Sequence, residues 1–300
     1  MFHTAVTLVC NPAAPALNDD IADDVGGVLL EFAGEVKRRP LADGVADDFL
    51  IGDAIDSAGA VAAIRDVLSE APVDIIVQPA ARRKKRLIIA DMDSTIIEQE
   101  CIDELADFAG LKAEISAITE RAMRGELDFE QALDERVGKL KGLPQSVLDE
   151  AFRTRITLTP GARTLVQTMR GAGAVAVLVS GGFTFFASRV AALAGFDHYR
   201  ANELLIDNGA LSGAVARPII GRAAKEQSLV EFAAKQSIDI ADTLAVGDGA
   251  NDLAMIERAG LGVAFRAKPK VAQAADASIT HGDLTALLYL QGYADADFAA

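Results

Sequence analysis

Three short apolar runs in this chain each stop at a small polar cluster, and no other feature restricts the fold as much. Leu87–Ala90 runs into Asp91-Met92-Asp93-Ser94-Thr95, and Val175–Val179 into Ser180-Gly181-Gly182. Thr243–Val246 runs into Gly247-Asp248-Gly249-Ala250-Asn251-Asp252. Apolar runs without alternation are the mark of strands buried on both faces of a parallel sheet. A fourth, Gly262–Phe265, follows, and segments of helical periodicity lie between the runs. The pattern predicts a doubly wound α/β domain. Open sheets of this kind bind ligands at the carboxyl ends of their strands. The clusters should therefore converge, although roughly 160 positions separate the first from the last.

The residue types suggest what converges there. Asp91, Asp93 and Asp248 would repel one another unless a cation sat among them, and hard carboxylate oxygens suit Mg²⁺. Ser180-Gly181-Gly182 offers a hydroxyl and unhindered backbone N–H groups, which can cradle a phosphate.

The rest of the chain divides around this domain. Residues 1–80 read as strand (Ala5–Cys10), helix (Asp19–Phe32), extended segment (Val36–Ile51), helix (Ala58–Ser69) and strand (Val73–Val77), a ferredoxin-like α+β order. Ala81–Arg86, ARRKKR, reads as a solvated basic linker. From Leu87 to Ala300 the α/β domain follows, interrupted by helix after helix over about 101–155, with turns at Gly110, Gly125 and Gly142-Leu143-Pro144. That stretch predicts a helical cap inserted after the first core strand. ELLID–NG–ALSGAV around Asn208-Gly209 is a hairpin with the two-residue turn that Asn-Gly favours.

Composition excludes several classes. Apolar residues make up 51% of the 300, enough for a sizeable core, and with no Trp that core is mostly aliphatic. The formal charge of −15 argues against a nucleic-acid partner, which normally meets a basic face. An anionic phosphate ester would need local positive charge in such a field. The two cysteines, Cys10 and Cys101, form no CxxC, so neither a disulfide framework nor a thiolate zinc site is expected. His3, His198 and His281 are scattered. The chain start lacks a signal-peptide pattern. No uncharged run reaches the ~18 residues of a membrane span. These features predict a cytoplasmic protein without a membrane partner. A nucleotide-binding kinase of the GxxxxGK[ST] type is not encoded.

DMDSTIIEQECIDELADFAG, AMRGELDFEQALDERV, VSGGF and AVGDGANDLAMI together resemble the haloacid dehalogenase superfamily over about Arg86–Leu290. The second of them, in the helical insertion, resembles the phosphoserine phosphatase branch. The resemblance implies a phosphoryl transfer through a phospho-aspartyl intermediate, the last step of serine biosynthesis, with Mg²⁺ as cofactor. It makes Asp91 the nucleophile and Asp93 the general acid and then base. Asp91, Asp248 and the Asp93 backbone carbonyl would hold the metal. Ser180, Gly181 and Asn251 would meet the substrate phosphate, Lys225 would hold the phosphoryl oxygens, and Asp252 would support them. Arg222 is the neighbouring cation, three positions too early for the lysine's place.

In the cap, the resemblance gives Glu100 the substrate ammonium and Arg136 its carboxylate, with Met123 and Phe129 as apolar lid residues. Arginine's planar fork suits a carboxylate. Cys101 reads as a small buried hydrophobe. Two related readings stay open: a phosphotransferase to an alcohol such as homoserine, and a phosphatase for another small phosphomonoester. The N-terminal layout is similar to ACT-type domains, which implies serine feedback and homodimerisation through it.

Overall fold

The computed structural model describes residues 2–123 and 126–299, and of Ala122 and Met123 the backbone alone. Its N-terminal part runs β1 (Thr4–Cys10), α1 (Asp19–Leu30), β2 (Val36–Ala42), β3 (Ala46–Ile51), α2 (Ser57–Leu68) and β4 (Val73–Pro79). The four strands pair antiparallel in the order β2-β3-β1-β4, the ferredoxin-like arrangement. Asn18 caps α1 by accepting from Ile21 N, and Asp56 caps α2 by accepting from Ala58 N. Ala22, Val25 and Leu29 of α1 and Ala60, Ile64 and Leu68 of α2 recur at helical spacing. They bury one face of the sheet, with Val6, Leu8, Phe49 and Ile51.

All seven residues of β1 are buried, so its other face must be covered too. Val9, Ala46 and Ile76 from that face join a cluster with Leu284, Leu287 and Leu288 near the far end of the chain.

The second part contains β5 (Leu87–Ala90), α3 (Cys101–Phe108), α4 (Lys112–Met123), α5 (Phe129–Lys139), α6 (Ser146–Arg155), α7 (Ala162–Gly171), β6 (Val175–Phe183) and α8 (Thr184–Ala194). It continues through β7 (His198–Asn202), β8 (Leu204–Asp207), β9 (Ala210–Val215), α9 (Arg222–Lys235), β10 (Thr243–Gly247) and α10 (Leu253–Arg258). It closes with β11 (Gly262–Phe265), α11 (Pro269–Ala274), β12 (Ala277–Ile279) and α12 (Ala286–Leu290). Six strands form one parallel sheet ordered β12-β11-β10-β5-β6-β7. The chain leaves β5 toward β6 and β7 on one side and returns to β10 on the other. The switch point lies between β5 and β10, at the ends that carry Asp91 and Asp248.

Helices α3 to α6 stand between β5 and β6 as the expected cap. The hairpin β8–β9 turns at Asn208 (φ 49°) and Gly209 (φ 81°), both left-handed, as a type I′ turn requires. It also grips the cap: Leu211 N donates to Leu143 O (2.9 Å), Gly142 N to Leu211 O (2.8 Å) and Gln145 N to Gly209 O (2.9 Å).

The basic run 81–86 is not a solvated linker. Arg83 and Lys85 are buried. Arg83 donates to both Asp48 carboxylate oxygens (2.6 and 2.9 Å), to Thr7 Oγ1 (3.1 Å), and to Leu290 O and Tyr289 O (2.9 and 3.3 Å). Lys85 Nζ donates to Ala241 O and Gly260 O. Alternate side chains of the run turn inward because β1, β3 and the β10 region supply acceptors on both sides. Beside them, Asp74 of β4 accepts from the backbone N–H groups of Thr280, His281 and Gly282 (2.9, 3.0 and 2.9 Å). Among the described residues, no helix is long and apolar enough to cross a membrane.

Candidate active site

Asp91 sits one residue past β5 and extends the ladder, its N–H donating to Val246 O (2.9 Å). The chain then turns sharply through Ser94, whose φ is 55°. Asp91 Oδ1 accepts from Met92 N and from Lys225 Nζ, both at 2.7 Å, and Oδ2 has no hydrogen-bond partner among the described residues. Lys225, on the first turn of α9, has no exposed surface and also donates to Asp252 Oδ1 at 2.6 Å. Asp252 is held in turn by Gly249 N on Oδ2 (3.0 Å). One oxygen from each of Asp91, Asp248 and Asp252 lies within 4.8 Å of the others.

One lysine among so many carboxylates leaves the site short of positive charge. Burial and then Asp252 push the Asp91 carboxyl well up, against the pull of Lys225. Asp248 is pushed up to about 6, by burial first and Asp252 second. Burial would lower Lys225, but Asp252 and Asp91 outweigh it and raise its pKa. A bound cation favours the ionised carboxylates and so opposes these upward shifts. The donor set is all hard oxygen, from two loops facing one point, and fits a small divalent cation.

Asp93 points elsewhere. Its Oδ1 accepts from Cys101 N at the start of α3 (2.8 Å), and its Oδ2 from Ser180 Oγ (3.1 Å). Ser180 Oγ accepts in turn from Gly182 N (2.8 Å). Burial is the main cause raising the Asp93 pKa. The glycines are steric requirements here: a Cβ on Gly182 would lie 2.7 Å from Asp93 Oδ2, and one on Gly247 2.5 Å from Asp252.

The cap supplies the opposite wall of a crevice of about 780 Å³. Asp128 and Gln131 form a capping box that starts α5 at Phe129. The Phe129 ring stands over Gly181 and Gly221, where a Cβ would come within 2.9 and 3.1 Å of it. About two turns on, Arg136 lines the same wall. Its Nε donates to Ala132 O (3.1 Å), and it makes no ion pair among the described residues. Burial lowers its pKa. Glu100 is exposed as a residue, yet its carboxylate faces the crevice and accepts from Ser94 Oγ at 2.7 Å. Burial, and next Asp93, push it up to about 7.

Asp91, Asp93, Gly181, Asp248 and Asn251 therefore meet at the crevice floor, with Ser180, Lys225 and Asp252 directly beneath, and Glu100, Phe129 and Arg136 opposite. The Met123 side chain lies outside the described residues. Cys101 is buried as expected, but its backbone N–H has the further task of fixing Asp93. Asp252, expected only in support, is a full member of the carboxylate group. Sequence reasoning set Arg222 aside as a substitute for Lys225 and missed Lys268, and both line the crevice. For Arg222 a signal existed: it precedes Lys225 by three positions, one helical turn on the same face.

A family model described as haloacid dehalogenase-like hydrolase matches residues 88–257. The chain is 49% identical to a phosphoserine phosphatase of Archaeoglobus fulgidus over 217 residues, covering 72% of this chain and 63% of that one. It is 43% identical to a phosphoserine phosphatase of Mycobacterium tuberculosis over 240 residues, covering 79% and 58%. The chain thus spans less than two thirds of the length of either. Over 96% of its length it resembles the crystal structure of a haloacid dehalogenase family hydrolase from Salmonella enterica serovar Typhi (98% of that chain, TM-score 0.84, 31% identity). A structure of a phosphoserine phosphatase as an analogue of its phospho-aspartyl intermediate matches 69% of this chain and 98% of that one, with a TM-score of 0.64 and 41% identity.

Proposed function

This chain belongs to the haloacid dehalogenase-like hydrolase family, and on that premise we propose that it hydrolyses O-phosphoserine to serine and phosphate through a phospho-aspartyl intermediate on Asp91. The observation that carries the reading is the asymmetry of that carboxylate. Oδ1 is anchored by Met92 N and Lys225, while Oδ2 is left open to the crevice. An aspartate so placed is a fixed nucleophile with one attacking oxygen.

The steps follow from the neighbours. Oδ2 of Asp91 attacks phosphorus as the bond to the serine oxygen breaks. Asp93, whose pKa is raised chiefly by burial, is the group placed to give a proton to the departing alkoxide. Its carboxylate then takes a proton from water, which attacks the acyl phosphate and restores Asp91. The Lys225 ammonium and the Gly181 N–H bear the phosphoryl oxygens, joined by the Ser180 hydroxyl once it turns from Asp93 Oδ2. Magnesium held by Asp91, Asp248 and the Asp93 carbonyl, with Asp252 adjacent, would neutralise charge on the transferring group. Phe129 closes over Gly181 and excludes water.

Phosphoserine fits because the two remaining charges on the cap wall match the two ends of an amino acid. Arg136 has guanidinium donors to spare for a carboxylate, and Glu100 becomes ionised beside an ammonium. Phosphate release from phosphoserine, measured with and without Mg²⁺ and with and without an acceptor alcohol, tests the reading. Transfer of phosphate to the alcohol, or no turnover, would overturn it.

The reading includes an ACT-like N-terminal module (residues 1–80) joined through 81–86 to the phosphatase domain. With one sheet face under α1 and α2 and the other against the catalytic domain, pairing with a second copy through the sheet is left the edge strands β2 and β4. Lys37, Arg39 and Pro40 on the β2 edge oppose strand addition there. Sedimentation of the full chain and its activity against rising serine test dimerisation and feedback.

A further inference from the structure

The crevice that receives a doubly negative phosphate is lined by Asp91, Asp93, Glu100 and Asp248, in a chain of net charge −15. Coulomb repulsion should slow entry of the substrate, so something must offset it at the mouth. Lys225 cannot, because it is buried beneath the floor and committed to Asp91 and Asp252. Two other cations line the crevice at exposed positions: Arg222, the first residue of α9, and Lys268, the residue that caps α11. Neither forms an ion pair among the described residues. Both are anchored by backbone rather than by charge. Gly221, just before Arg222, packs against the Phe129 ring, and Lys268 N donates to Asp248 O at 3.4 Å. Arg222 also stands one turn, about 4.5 Å along the axis, above Lys225 on the same face of α9. Arg222 at the mouth and Lys225 at the floor thus mark one path inward.

We propose that Arg222 and Lys268 form a two-cation mouth that captures the phosphate dianion from solution and passes it to Lys225. They are specificity-determining residues for anionic phosphomonoesters and take no part in breaking the phosphorus–oxygen bond. The proposal rests on the phosphatase reading above. Capture by exposed charge raises the encounter rate by about 10- to 10³-fold and weakens steeply with salt.

The test is steady-state kinetics of the magnesium-saturated full chain with phosphoserine, for wild type, Arg222→Gln, Lys268→Gln and the double variant. Rates are compared at about 10 mM salt, where charge acts over about 30 Å, and at about 1 M, where its reach is about 3 Å. The double variant is expected to lose about tenfold in kcat/KM at low salt with kcat retained, and to converge on wild type at high salt. Inorganic phosphate should inhibit it more weakly by a similar factor at low salt. Lys235→Gln, which removes an exposed charge at the far end of α9, should leave the salt slope as in wild type. An unchanged slope in the double variant, or a fall in kcat that persists at high salt, overturns the proposal. Absence of wild-type phosphoserine turnover would instead sink the functional reading. The salt slopes can then still be read with p-nitrophenyl phosphate, so the two failures are separable.

Discussion

Two buried clusters in this molecule pair a cation with carboxylate, and they are built to opposite ends. At the seam between the two parts, Arg83 meets a single carboxylate, Asp48, and its remaining donors go to Thr7 Oγ1, Tyr289 O and Leu290 O. Charge balances, and every guanidinium nitrogen has an acceptor. At the crevice floor, Lys225 meets Asp91 and Asp252 at once, with Asp248 in reach and Asp93 nearby. There negative charge is in excess and Asp91 Oδ2 is left open. A saturated cluster resists change and fixes geometry. An unsaturated one keeps capacity for a ligand, which marks a functional site.

Mutations should separate the two. Asp91→Asn keeps the shape of the floor and removes the nucleophile, so kcat on phosphoserine should fall by about 10³-fold or more, with the circular dichroism melt near that of wild type. A variant that still turns over would place the nucleophile elsewhere. Arg83→Ala strands the buried Asp48 charge and should destabilise the chain by about 3–5 kcal/mol in denaturant unfolding, while Asp48→Ala added to it recovers part of the loss. If Arg83→Ala proved neutral, the seam would not be the saturated cluster described.

Arg136→Ala removes an unpaired guanidinium from the cap wall. KM for phosphoserine should rise about 10- to 100-fold while p-nitrophenyl phosphate hydrolysis changes little. Equal loss on both substrates would move Arg136 from recognition to support of the cap.

The smallest effect concerns pH. Asp248 and Glu100 have folded pKa values of about 6 and about 7, raised above their ordinary 3.8 and 4.5. A raised carboxyl favours the folded chain at low pH, and that contribution disappears as pH climbs through the folded value. Without divalent cation, the melting temperature should therefore drop by a few degrees between about pH 5 and about pH 8. Saturating Mg²⁺ should flatten the slope, because it favours the ionised Asp248. A slope of opposite sign would contradict the excess of negative charge at the floor.

Much of the floor was legible in the sequence because its residues sit at the ends of apolar runs, and a parallel sheet brings such ends together. What stayed hidden depended on partners far along the chain. ARRKKR looks solvated, since nothing local shows that Asp48 lies across from Arg83, or that Ala241 O and Gly260 O await Lys85. Strand β7, HYRAN, carries no apolar run, and β12 is only three residues long, so both edges of the parallel sheet escaped periodicity. Arg222 was weighed only as a substitute for Lys225. Exposure at a crevice mouth is a tertiary property that spacing alone does not reveal.

The seam also has a consequence for how the chain comes off the ribosome. Residues 4–10 of β1 are made long before the partners of their second face, Leu284–Leu290. Synthesis at about 5–20 residues per second leaves that half-dressed apolar face waiting for tens of seconds. Over that interval the nascent N-terminal sheet is a natural client for chaperones. Its second face is covered only when α12 arrives.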